Sequence, residues 1–220
     1  MVEVSFYLLS VTALAMLFVL FRSYPSSKKL TILLVMIGWI AYLVLLDRSD
    51  VLKNFDMPPR IPVLVVFPAL IAMVILVNRN VLQEALKRSP LYIPILLQSF
   101  RILVELLIYA TYQKGIFPQR ATFEGLNFDI LVGISALFMG IAIHKRLVEA
   151  RGILIWNIAS LTILSVTVYS FISTYYFTDF LSIGGRYQFV EFPYLLLASV
   201  LLPVALFLHV FSLKQVIGKS

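Results

Sequence analysis

The sequence predicts an all-α integral membrane protein, a single domain of seven transmembrane helices over residues 1–220. Three observations carry this. The chain of 220 residues is 61% hydrophobic and 13% charged, where a soluble domain is about 45–50% apolar and about 25% charged. Its mean hydropathy is +0.97. Its apolar residues fall into runs of the length that crosses a bilayer, roughly 17–25 residues each.

The runs are residues 4–21, 30–46, 61–77, 91–112, 126–143, 153–177 and 189–213. Clusters rich in charge and turn formers separate them: SYPSSKK, DRSDVLKNFDMPPR, NRNVLQEALKRSP, QKGIFPQRATFEG, HKRLVEARG and TDFLSIGGRYQ. The first run has its basic residues after it, at Arg22, Lys28 and Lys29. A signal peptide has them before its apolar core, so this run is expected to be a retained helix. The third run contains Pro62 and Pro68. Membrane helices tolerate proline where neighbours satisfy the freed carbonyl, so a bend is expected there, as at Pro94, Pro193 and Pro203. Residues 78–87 form the one amphipathic stretch, a short interfacial turn or plain connecting loop.

Short-loop Lys and Arg set orientation. Eleven lie on one side: Arg22, Lys28, Lys29, Arg79, Lys87, Arg88, Lys145, Arg146, Arg151, Lys214 and Lys219. Six lie on the other: Arg48, Lys53, Arg60, Lys114, Arg120 and Arg186. The richer side is expected to be cytoplasmic, with the N-terminus outside and the C-terminus inside. The net charge of +7 therefore reads as membrane orientation, and no nucleic-acid partner is expected. Cysteine is absent, which excludes disulfides, thiolate metal sites and cysteine nucleophiles. Two histidines are too few for an imidazole zinc site, and no metal or cofactor is expected.

An ionisable residue inside a membrane helix is costly and marks a candidate site. In the fourth run, Gln98, Arg101, Glu105, Tyr109 and Tyr112 fall within an arc of about 80° on a helix. They form one polar stripe from mid-membrane to the outer surface. Arg101 and Glu105, at i and i+4, are expected to pair along the helix. Entering the fifth run, Glu124, Asn127 and Asp129 offer either a helix cap or oxygen ligands for a hard cation. The spacing is not that of an EF-hand, and Gly125 lets the chain bend back. Glu191 starts the seventh run as a solvated acid or at the outer mouth of the stripe. The sixth run is polar, from Asn157 to Ser173, and Ala136 and Gly140 form a small-xxx-small pair. The first reads as helix packing and hydrogen bonding, the second as packing. His144 and His209 sit near cytoplasmic ends and read as solvated.

The pattern Gln98-x-x-Arg101-x-x-x-Glu105, followed by Pro118 and Thr122-Phe-Glu-Gly-x-Asn-Phe-Asp-Ile130, resembles an uncharacterised family of small multi-pass bacterial membrane proteins. The resemblance covers about forty residues of the fourth and fifth runs. It implies a bacterial inner-membrane location and supplies no activity.

Named alternatives fail on residues. A retinal protein needs a lysine within the last helix, and 189–213 has none. Proline-paired sugar transporters carry a proline in the first helix, and 4–21 has none. Intramembrane hydrolases need histidines near mid-membrane. The leading expectation is binding or translocation of a small polar solute, ion or proton. Arg101 supplies fixed charge, and Glu105 is the titratable or cation-facing group. A second is a structural or accessory subunit whose Arg–Glu pair only specifies packing. A third is a lipid- or quinone-acting enzyme using Glu105. Membrane lipids are expected partners, and homo-oligomers or a partner subunit remain open.

Overall fold

Apolar side chains recur around the whole circumference of most of these segments, so each can bury its backbone only by forming a helix. The computed structural model describes residues 1–20, 26–77 and 85–218, and among these there is helix and no strand. The helices are α1 (Val2–Leu20), α2 (Ser26–Arg48), α3 (Phe67–Val77), α4 (Tyr92–Leu97), α5 (Phe100–Gln113), α6 (Asp129–His144), α7 (Ala150–Phe177) and α8 (Leu202–Ile217). Most of the expected amphipathic stretch, residues 78–84, lies outside the described residues.

Four helical segments are long and apolar enough to cross a membrane: Lys29–Arg48, Tyr92–Gln113, Ala150–Phe177 and Leu197–Ile217. Three apolar helices are shorter: Val2–Leu17, Pro62–Met73 and Asp129–His144. The last long segment is mostly buried and forms the centre of the bundle, while Lys29–Arg48, in which only Leu43 is buried, lies at its edge.

The prolines act as local deformations. A π-helical turn, Pro62–Val66, runs directly into α3, and another, Leu197–Leu201, runs into α8 just before Pro203. The fourth run is not one regular helix. At Gln98 and Ser99 the hydrogen bonds tighten to i→i−3, Gln98 N–H to Ile95 O and Ser99 N–H to Leu96 O. This separates α4 from α5. Pro94 lies four residues before Gln98, where a regular α-helix would place the acceptor of that N–H.

Small residues let α6 approach its neighbours closely: the expected pair Ala136 and Gly140 lies at this contact, and Gly133 extends it by one turn. A methyl group on Gly133 would stand 2.7 Å from Ile102 Cγ1 and 2.8 Å from its backbone nitrogen. One on Gly140 would meet Leu96 at 3.1 Å. Ala136 between them is fully buried. α6 therefore lies against α4 and α5 with backbones nearly touching, which brings Asp129, one turn before Gly133, within reach of α5.

The two ends of the bundle are closed differently. At one end Lys53 bridges Asp50 and Glu191. Beneath it the rings of Phe117, Phe171, Tyr175, Phe189 and Tyr194 interlock. Phe171 stacks on Phe189 at 5.0 Å, Phe189 on Tyr175 at 5.2 Å, and Phe117 meets Tyr194 at 5.6 Å. At the other end Gln215 of α8 donates to Leu86 O and Ser89 O at 2.9 and 2.7 Å.

Candidate functional site

The site begins with the loop that leads into α6. Gly125 is required there: a Cβ would lie 2.6 Å from Arg120 Cα and from Gln119 O. The loop closes through Leu126 N–H to Arg120 O and Asn127 N–H to Thr122 O. It delivers Asn127 into the bundle, fully buried. The Asn127 Oδ1 accepts the backbone N–H of Asp129 at 3.0 Å, so one of the free N–H groups at the start of α6 is satisfied by a side chain. Asn127 does this from the position before the N-cap, Phe128, whose own side chain makes no capping bond.

Asp129 has a different task. Its carboxylate takes both Nε and Nη2 of Arg101, the former at 2.6 Å. This is a two-pronged, charge-assisted contact between α6 and α5, and both residues are at most 4% exposed. The expected Arg101–Glu105 pair does not form. On one helix face the two side chains lie side by side. The fork geometry of a guanidinium is met better by a carboxylate facing it from a neighbouring helix. Glu105 instead accepts Asn127 Nδ2 at its Oε2, 2.6 Å away.

The third guanidinium nitrogen meets a residue expected to be solvated. His209 is fully buried, with Nε2 at 3.0 Å from Arg101 Nη1 and Nδ1 at 2.9 Å from Asn157 Oδ1. Arginine can only donate, so Nε2 is the acceptor, and the ring proton sits on Nδ1 and goes to Asn157. The amide of Asn157 passes on to Ser212 Oγ at 3.0 Å. Thr167 donates to Asn127 Oδ1 at 2.7 Å. One buried polar chain thus links Ser212, Asn157, His209, Arg101, Asp129, Asn127 and Glu105 across α5, α6, α7 and α8.

Sequence reasoning found Arg101, Glu105, Asn127 and Asp129, and missed His209, Asn157, Thr167 and Ser212. Asn157 and Thr167 belong to the polar sixth run, which the sequence reads as helix packing and hydrogen bonding and not as part of a site. The signal for α8 was present as a helical stripe of His209, Ser212 and Gln215, all buried.

The predicted stripe along the fourth run divides. Gln98 turns to α8 and donates to Ala205 O at 3.0 Å. Tyr109 donates to the exposed Glu124 at 2.9 Å, and half-buried Tyr112 packs on Tyr109 at 5.9 Å between ring centres. The turn at Gln98–Ser99 sets Gln98 apart from α5, while Tyr109 and Tyr112, in register with Arg101 and Glu105, lie further along the helix and meet the 119–124 loop and each other. Glu124, Asn127 and Asp129 do not converge on one point. Each serves a different partner, and among the described residues no acid or histidine cluster has the form of a metal site. Glu191 does not reach the stripe, because it is held by Lys53 Nζ at 2.9 Å.

The polar chain ends at a cavity of about 80 Å³, lined by the Pro62–Val66 turn, α5, α7 and the 197–205 region. Arg101, Glu105, Asp129 and Thr167 lie at its polar end, and most other lining groups are hydrocarbon or aromatic. Glu105 is 1% exposed, and its Oε1 has no hydrogen-bond partner in the protein. Every other acid in the network is fully engaged. A buried acceptor without a partner costs about 1–3 kcal/mol, and among the residues lining this cavity Glu105 is the one that has such an atom. No known protein family, curated protein or solved structure matches this chain.

Proposed function

We propose that this is a seven-span protein of the bacterial cytoplasmic membrane, N-terminus outside and C-terminus inside, with a ligand-binding site at Glu105 within the membrane. In this reading the three shorter apolar helices also span. The ligand is a small polar solute, ion or proton, or the polar part of a larger molecule. The observation that carries the reading is the unpartnered, buried Oε1 of Glu105, a residue that lines the cavity.

The polar chain behind Glu105 supports binding over conduction. A relay needs groups that can give up and regain a proton. Arg101 retains its protons at any physiological pH, and the amides of Asn127 and Asn157 are not titratable. The fixed positive charge of Arg101 also opposes passage of a proton or cation. In this conformation the chain closes the site on the Gln215 side and positions Glu105.

The competing reading, a subunit in which buried charges only specify packing, draws support from the fully satisfied Arg101–Asp129 contact. It gives no reason to keep a carboxylate at 105, where glutamine would keep the bond from Asn127.

Dicyclohexylcarbodiimide, an apolar reagent for carboxyl groups in membranes, tests the site in nanodiscs. Mass spectrometry is expected to find Glu105 modified and Asp129, locked to Arg101, unmodified. A Glu105 as inert as Asp129 would overturn the reading. The orientation is tested by single cysteines in this cysteine-free chain. One at Ser49 is expected to react with an impermeant maleimide on intact cells, and one at Ser27 is not. The reverse pattern inverts the topology.

A further inference from the structure

The cavity beside Glu105 is partly open, and its lining residues are nearly buried toward both ends of the bundle and half-buried along one side. On the Lys53 side, the stacked Phe171 and Phe189, both nearly buried, roof it. Next to them, the hydroxyl of Tyr176 accepts the backbone N–H of Ile61 at 3.4 Å, tying the start of the Pro62–Val66 turn to the end of α7. On the other side Arg101 and its partners form the floor. Between roof and floor, the Pro62–Val66 turn packs on α3 and on Leu197–Leu201, while α7 packs on α6, α8 and the 119–121 turn. The cavity-lining residues at this seam, Val66 from one side and Val168 and Ile172 from the other, are half-buried. A ligand entering there comes from the hydrocarbon of the bilayer.

The polar end narrows the chemistry further. Glu105 contributes one free oxygen. The Asp129 oxygens are taken by Arg101, and the Thr167 hydroxyl, whose one proton is shared between Asn127 and Ile163 O, adds at most one neutral oxygen. A hard cation wants several oxygen ligands, six or more for calcium, and would shed its water among apolar walls. A single hydroxyl fits one free oxygen. It brings no charge, and it both donates and accepts, so it can pair with Glu105 as carboxylate or as acid.

Resting on Glu105 as the ligand-facing group, we propose that the site takes a hydroxyl-headed hydrocarbon, a long-chain or isoprenoid alcohol. It enters sideways through the seam between the Pro62–Val66 turn and α7. Its hydroxyl meets Glu105 Oε1, and its chain lies along Val66, Val168 and Ile172 toward the lipid.

The test uses the full chain in nanodiscs and a diazirine-bearing hexadecanol, with the same chain as its methyl ether for comparison. The alcohol is expected to label peptides holding residues 62–66 and 168–176 about tenfold more than the ether. That ratio corresponds to one hydrogen bond of about 1.4 kcal/mol. It is also expected to slow carbodiimide modification of Glu105. Glu105→Leu should remove the preference for alcohol. Val168→Trp, which plugs the seam away from the polar chain, should reduce labelling by both probes. Equal labelling by alcohol and ether overturns the inference, because hydrocarbon then fills the cavity without head recognition. Protection of Glu105 by methylammonium and not by the alcohol also overturns it, while leaving Glu105 as a binding group. A Glu105 inert to carbodiimide, with no labelling, overturns both this inference and the reading beneath it.

Discussion

His209 Nε2 lies 3.0 Å from Arg101 Nη1, both side chains at most 1% exposed. A guanidinium has no lone pair to offer, so the imidazole must accept at Nε2 and carry its proton on Nδ1. One contact thereby fixes a tautomer, and the tautomer fixes the direction of the bond to Asn157. The prediction is a neutral His209 in the Nδ1–H form, visible as distinct ¹⁵N shifts for the two ring nitrogens. Protonation of both would break the assignment. His209→Phe leaves Asn157 Oδ1 without this partner and should cost about 1–3 kcal/mol.

The contact between Arg101 and Asp129 behaves as a buried ion pair. Asp129→Asn leaves Arg101 uncompensated and should lower stability by roughly 3–5 kcal/mol. The double change Arg101→Met with Asp129→Leu should recover most of this. Glu105→Gln should do far less damage, because the amide oxygen still accepts from Asn127. Denaturation in detergent distinguishes these. If Glu105→Gln proves the costlier single change, the pairing is misassigned.

Gly133 holds the distance on which that pair depends. Gly133→Ala drives a methyl group into Ile102, side chain and backbone together. A loss of about 1–3 kcal/mol is expected, typical of overpacking. Gly38, with open space around it, is the control: an alanine there should be neutral or slightly stabilising, since alanine favours helix.

Two helix ends close in the same way with different residues. After α5, Gly115 has φ +67°, with Ile116 N–H bonded to Thr111 O. After α6, Arg146 takes φ 58°, with Leu147 N–H bonded to Ala142 O. Left-handed backbone costs a non-glycine residue about 1 kcal/mol. Arg146→Gly is therefore expected to stabilise by about that amount, read as a rise in Tm. A fall would mean the Arg146 side chain contributes more than its backbone costs.

Hydrogen bonds from Lys53 to Asp50, and then to Glu191, raise the Lys53 ammonium above its usual range. A raised pKa in the fold means the stabilisation is complete below the unfolded value, about 10.4. It is lost as pH rises through the folded value. The Tm advantage of the native chain over Lys53→Met should hold from pH 6 to 9 and shrink above about pH 10.4. An advantage that grows with alkaline pH would contradict the bridge.

Composition and periodicity determined the helical class, because a chain this apolar can satisfy its backbone in a bilayer only within helices or a closed barrel. They also marked Arg101, Glu105, Asn127 and Asp129 as candidates, since charge and amide groups in apolar runs are conspicuous. The small residues of α6 announced a close helix contact. The partners were decided by tertiary structure alone. Sequence spacing orders residues within one helix, and by that rule Arg101 faced Glu105. The backbone approach at Gly133 places α6 closer to the guanidinium, and Asp129 displaces Glu105 as its partner. His209 lies 108 positions along the chain from Arg101, and no local pattern connects them. The free oxygen of Glu105 arises because packing turns the guanidinium of Arg101 to Asp129 and His209 and gives Glu105 a single bond, from Asn127.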